Sequence, residues 1–127
     1  MVSVASVREA IETHADRYLQ RIYTERELAD CASAAGVDPE RLAARFAAKE
    51  ATLKVLRPGS KGLPLRSIEL RRCAEGWVGI ELGPAAAELA RSHGLRDFAV
   101  SVSHDGGFAT AVVVAAHDSS NCTSDPI

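Results

Sequence analysis

DPERLAARFAAKEATLKVLRPG, residues 38–59, is the stretch from which the fold of this chain can be read. Asp38 suits an N-cap, Pro39 the first helical position, and Pro58-Gly59 a stop, so a helix over residues 39–56 is predicted. On a helical wheel Leu42, Phe46, Leu53 and Leu56 share one face, while Ala43, Ala44, Ala47, Ala48, Ala51 and Val55 form a second. A helix that is apolar on two faces packs on both sides and belongs at the centre of a fold. Its charges therefore stand out. Glu50, Lys54 and Arg57 share a narrow strip between the two faces, and Lys49 falls inside the leucine stripe.

Working outward, Val4, Val7 and Ile11, then Tyr18, Leu19 and Ile22, keep helical spacing and predict one or two short helices. Thr24-Glu25-Arg26-Glu27 fits a capping box, opening a short helix to about Ala35 with Gly36 at its C-terminal cap. Beyond the central helix the period changes from helical to alternating. Ile68 and Leu70, then Val78, Ile80 and Leu82, predict two strands separated near Gly76. Pro84 starts a helix that Gly94 ends. Phe98, Val100 and Val102 alternate up to Asp105-Gly106, a hairpin turn, and Phe108–Ala116 returns as an apolar strand. Helices, strands, helix and hairpin in that order make an α+β fold, with an antiparallel sheet packed on a long central helix. One domain over residues 1–116 is expected, with a polar, disordered tail over 117–127 that carries the acceptor-like Asn121-Cys122-Thr123.

Composition agrees. The 127 residues are 46% hydrophobic and 25% charged with a net charge of −2, enough for one core. No apolar run approaches the ~20 residues that span a bilayer. Met1–Ala5 lacks a basic region followed by an apolar stretch, and Cys31, Cys73 and Cys122 follow no metal-ligand pattern, so free thiols in a cytoplasmic protein are expected. Charge is unevenly placed. Residues 41–72 hold nine Lys or Arg against two Asp or Glu, between acidic flanks, which suggests a localised anion site. A pI of about 6.1 and few aromatics near the basic segment argue against nucleic acid.

The strip on the central helix is the chemical clue. Glu50 and Lys54 at i, i+4 read most plainly as a helix-stabilising ion pair. A carboxylate beside cations also suits a divalent ion bridging to phosphate oxygens, since Mg²⁺ typically takes one or two carboxylates plus substrate phosphates.

Arg45-Phe46-Ala47-Ala48-Lys49-Glu50-Ala51-Thr52-Leu53-Lys54 resembles the signature of the holo-acyl-carrier-protein synthase family of 4′-phosphopantetheinyl transferases, whose core is Lys-Glu-Ala-x-x-Lys. Ile22 to Leu28 resembles its Phe-Thr-x-x-Glu segment. Gly62 to Leu70 is similar to its strand entry, and Val100 to Asp105 to its Ser-His strand end. The resemblance covers about residues 2–116. It implies a Mg²⁺-dependent enzyme that moves phosphopantetheine from coenzyme A to a serine of an apo acyl carrier protein, of fatty-acid, polyketide or other synthesis, releasing adenosine 3′,5′-bisphosphate. By the same resemblance Glu50 is a metal ligand and base, and Lys54 stabilises phosphate charge. Arg45, Lys49, Lys61 and Gly62 then hold coenzyme A phosphates, and Ser103 and His104 the nucleotide phosphates. It further implies a homotrimer with sites between subunits. The basic segment suggests that an acidic carrier protein docks near Arg41 and Arg45.

Two departures from the family pattern are visible. Gly76-Trp77-Val78 stands where the family has Gly-Lys/Arg-Pro. An N-terminal Gly-x-Asp motif, source of a further metal ligand, is absent; aligning Ala10-Ile11 puts its Asp immediately before Met1. The expectation is a chain started one strand late, or a variant without that ligand and catalytically impaired. A non-catalytic binder of coenzyme A or carrier protein is the alternative, and a small interaction domain a remoter one.

Overall fold

A computed structural model describes residues 1–118. Its elements run β1 (Val2–Ser3), α1 (Val4–Ile22), α2 (Glu25–Asp30), β2 (Ala32–Ser33), β3 (Gly36–Val37), α3 (Pro39–Leu56), β4 (Ile68–Arg72), β5 (Val78–Leu82), α4 (Pro84–Ser92), β6 (Leu95–Asp105) and β7 (Phe108–His117). The fold is α+β, and its strands pair antiparallel as expected. They form three sheets rather than one: β1-β7-β6, β2-β3 and β4-β5. Helix α4 interrupts the chain between β5 and β6, and the two hairpins each pack against α3 instead of sharing a ladder.

The central helix runs over the predicted residues. Asp38 accepts from Glu40 N–H at 3.0 Å, and Arg57 closes the C-terminus in a left-handed conformation, φ 50°. Both apolar faces of α3 are covered. Leu42, Ala43, Ala44 and Ala47 pack with Val4, Val7, Tyr23, Cys31 and Ala109, whereas Leu56 packs with Ile68, Ala86 and Ala90. The two clusters follow one another along the helix, and the first takes residues from both faces, Leu42 from the leucine stripe and Ala43, Ala44 and Ala47 from the alanine one, which is why the helix is apolar almost all round.

The N-terminal helix is two pieces, broken at Ala15 (φ 44°, ψ −123°). Helix α2 keeps the predicted capping box but ends at Asp30, five residues short of the expected end. Residues 32–37 fold instead into a small hairpin, with Ala32 opposite Val37 and Ser33 opposite Gly36, and Ser33 Oγ donating to the Gly36 carbonyl at 2.7 Å. Gly36, at φ 108°, serves that turn and caps no helix. Before α4, Gly83 lacks a capping side chain. Ser67 supplies one from a distance, accepting from Ala86 N–H at 3.0 Å, and a Cβ added to Gly83 would lie 3.2 Å from the Ser67 carbonyl.

Strand β6 shifts register between Arg96 and Ala99, then pairs regularly to Asp105 opposite Phe108. His117 closes β7, and Asp118 N–H donates to the Gly94 carbonyl at 3.0 Å. The rest of the expected tail, residues 119–127, lies outside the described residues. Among the described residues no helix is long and apolar enough to cross a membrane.

Candidate active site

Six charged residues lie on α3, and the fold separates them into two groups. Glu40, Arg41, Arg45 and Lys49 all have protein partners. Glu40 Oε1 lies 3.1 Å from His104 Nδ1. Arg41 Nε lies 3.6 Å from Asp38, and Arg45 Nη2 3.7 Å from Asp30. Lys49 is fully buried, 2.6 Å from Glu27 Oε1, and its other ammonium hydrogens go to the Leu65 carbonyl at 3.0 Å and to the Ile68 carbonyl. Burial lowers the Lys49 pKa, and the Glu27 carboxylate opposes that shift. Lys49 therefore departs from its expected coenzyme A role. Its place in the leucine stripe is a core place, and no hydrogen is left over for a phosphate.

Glu50 and Lys54 form the second group. The half-buried Glu50 and the exposed Lys54 have no hydrogen bond or ion pair among the described residues. The i, i+4 pair that is the plainest reading of this spacing is not made. What the helix presents there is a free carboxylate one turn from a free ammonium. Lys61 and Gly62 sit on an exposed turn after α3, with Gly62 at φ 68°.

The remaining predicted residues gather elsewhere. Ser103 and His104, at the end of β6, line a cleft of about 1050 Å³ together with Arg41 and Arg45 from the start of α3. Its far wall is the β4–β5 hairpin, contributing Leu70, Arg72, Trp77 and Val78. Arg45 is 4% exposed, and its Nε is buried without a hydrogen-bond partner among the described residues. A buried donor left open costs about 1–3 kcal/mol, so this atom is poised for an acceptor. The described chain thus splits the predicted set. Arg45, Ser103 and His104 share the cleft; Glu50, Lys54, Lys61 and Gly62 do not line it. His104 reaches Glu40, ten residues before Glu50, which is about 15 Å along the helix axis at 1.5 Å per residue.

Three features escaped sequence reasoning. Glu27 is more than a capping residue: its Oε2 accepts from Leu70 N–H at 3.1 Å while Oε1 holds Lys49, so one carboxylate joins α2, α3 and β4. The cleft's aromatic wall had no signal beyond the odd Gly76-Trp77-Val78. A second groove of about 540 Å³ lies along α1, lined by His14, Arg17, Tyr18, Arg21, Ile22 and Leu65. Charge counting hid it, because α1 lies in an acidic segment. Arg17 and Arg21 are exposed and have no ion pair among the described residues. Arg41 and Arg45, the expected docking cations, lie 3.6 Å from Asp38 and 3.7 Å from Asp30.

The sequence profile of the 4′-phosphopantetheinyl transferase superfamily matches residues 1–113. This chain belongs to that superfamily. A relative from Chloroflexus aurantiacus, a holo-[acyl-carrier-protein] synthase, is 40% identical over 127 aligned residues, covering 91% of this chain and 93% of its own. Among solved structures, the Helicobacter pylori holo-[acyl-carrier-protein] synthase in complex with coenzyme A is 28% identical, with a TM-score of 0.77 over 91% of this chain and 95% of that one. The Chronobacterium ammoniagenes synthase–coenzyme A complex is 26% identical, with a TM-score of 0.74 over 92% and 93%. The 4′-phosphopantetheinyl transferase fold expected from the α3 signature is therefore the fold of this superfamily member.

Proposed function

We propose that this transferase moves 4′-phosphopantetheine from coenzyme A onto a serine of an apo acyl carrier protein in the cytoplasm and releases adenosine 3′,5′-bisphosphate. The observation that carries the reading is the free Glu50–Lys54 step on a helix whose other charges are all partnered. In the transfer the serine oxygen bonds to the phosphorus that carries pantetheine, and the bond from that phosphorus to the bridging pyrophosphate oxygen breaks. Glu50 takes the serine proton, directly or through a water, and Lys54 offsets charge on the phosphoryl oxygens. Lys61 and Gly62 border that end of the helix and hold phosphate there. Arg45, Ser103 and His104 orient the nucleotide phosphates in the cleft.

Glu50 fits Mg²⁺, since an unpartnered carboxylate can ligate it while substrate phosphates and water complete its shell. Bound there, Mg²⁺ would neutralise developing charge on the pyrophosphate.

The two halves of the site lie about 15 Å apart along α3, a separation that supports assembly of each complete site from two copies of the chain. Strand β7 supplies a surface for it: Phe108, Val112 and Val114 are 48%, 64% and 59% exposed, an apolar face that water disfavours. A homotrimer satisfies both. For the carrier protein, Arg17 and Arg21 flanking the α1 groove, without an ion pair among the described residues, offer their cations to an acidic partner.

A second reading, coenzyme A binding without transfer, rests on one observation. Among the described residues Glu50 is the one unpartnered carboxylate on α3, which leaves a divalent ion a single ligand from that helix. Mass spectrometry of apo carrier protein incubated with the protein, coenzyme A and Mg²⁺ decides between them. A mass gain of one phosphopantetheine, abolished by a chelator, supports transfer; coenzyme A binding with no gain selects the second reading.

A further inference from the structure

Trp77 is the only tryptophan in the chain, and it is 58% exposed at the β4–β5 turn, on the wall of the large cleft. An exposed indole exposes apolar surface to water at a cost, and this one is held in place. Its N–H donates to Glu75 Oε2 at 3.1 Å, and its carbonyl accepts from Cys73 N–H at 2.8 Å. The ring lies over β5, where a Cβ added to Gly79 would stand 3.7 Å from it. Cations share the same cleft. Arg72, beside the turn, reaches the Gly76 carbonyl at 3.4 Å, and Arg45 brings its buried, unpartnered Nε. The acids on the cleft wall, Asp38 and Glu40, are engaged by Arg41 and His104.

We propose that Trp77 is the stacking surface for the adenine of coenzyme A and sets the preference for a donor that carries the nucleotide. A fixed aromatic beside two guanidiniums matches a ligand that joins a flat heterocycle to phosphates. The ring receives the base through its π-face, and the guanidiniums receive phosphate oxygens. Of the parts of coenzyme A, the adenosine 3′,5′-bisphosphate end has this composition; the pantetheine arm has neither a ring nor a second charge. Trp77 is thus a specificity residue that touches the substrate far from the transferred phosphorus. This inference rests on the coenzyme A reading above.

The test uses the full-length protein and its single indole. Coenzyme A and adenosine 3′,5′-bisphosphate are expected to change Trp77 emission, whereas 4′-phosphopantetheine leaves it unmoved. Trp77→Ala is expected to weaken coenzyme A binding about tenfold by calorimetry, with the loss falling on KM for coenzyme A rather than on kcat. Trp77→Phe, which keeps a ring, is expected to recover most of it. Equal coenzyme A affinity in wild type and Trp77→Ala, or unmoved emission in a protein that forms holo carrier protein, overturns the proposal. A Trp77-dependent binding of coenzyme A without any transfer would overturn the proposed function and leave the stacking site standing.

Discussion

Lys49 Nζ lies 2.6 Å from Glu27 Oε1, with both side chains fully buried, and 5.7 Å from the centre of the Tyr23 ring. This pair ties α2 to α3 immediately before Glu50. It sets the rotation of the helix about its axis, so that Lys49 points inward and Glu50 outward.

Breaking the pair should cost stability before activity. Lys49→Met leaves Glu27 as an uncompensated buried charge and is expected to lose about 3–5 kcal/mol in urea denaturation. Adding Glu27→Gln removes that charge and should recover part of the loss. If the two single losses simply add, the residues are not coupled.

Glu50→Gln keeps shape and removes the carboxylate. Its holo-protein formation is expected to fall at least ~100-fold, as for loss of a general base, with an unchanged circular dichroism spectrum. Lys54→Ala should fall in the same direction. Because neither residue has a partner among the described residues, a change in melting temperature with normal turnover would contradict the assignment.

Arg17→Glu with Arg21→Glu should raise KM for an acidic carrier protein and leave KM for coenzyme A unaltered. Raising salt should mimic the substitution, since exposed charges are screened beyond ~8–10 Å. A carrier-protein KM indifferent to both would place docking elsewhere.

Val112→Lys with Val114→Lys puts charge on the exposed face of β7. Light scattering is expected to show dissociation to smaller species, with transfer lost in parallel. A fully active monomer would show that each chain holds a complete site.

Alkaline stability follows from burial around Tyr23 and Cys31. Burial pushes the Cys31 thiol up to about 11 and raises the Tyr23 phenol as well. The folded state keeps protons that the unfolded chain releases, so stability is full below about pH 9 and falls as pH rises toward 11. Melting temperatures at pH 8, 9 and 10.5 should decline along that range, less steeply in Cys31→Ala.

What the sequence determined by itself was local. The α3 helix with its Asp38 cap, the Thr24–Glu27 capping box and the Asp105-Gly106 hairpin were legible because each depends on neighbours within a few positions. The same wheel placed Lys49 in an apolar stripe, and there the local reading and the motif conflicted. The motif suggested a phosphate ligand, whereas burial made it a core residue. The end of α2 was misread because Gly36 suits a helix cap and a hairpin turn equally well. Its choice depends on Cys31 being buried and on the Asp38 N–H reaching the Cys31 carbonyl at 2.9 Å.

The tertiary structure alone decided which charges are available. Ion pairing depends on distances between elements far apart in sequence, such as Glu27 with Lys49 or Glu40 with His104, 64 positions on. No spacing rule carries that information. Packing consumed four of the six charges on α3 and left Glu50 and Lys54 without a partner among the described residues. It also brought Arg45, Ser103, His104 and Trp77 from two elements and a turn to one cleft. The residue types that do the chemistry were written in the chain; their separation into structural and reactive groups arose when α3 was covered on both sides.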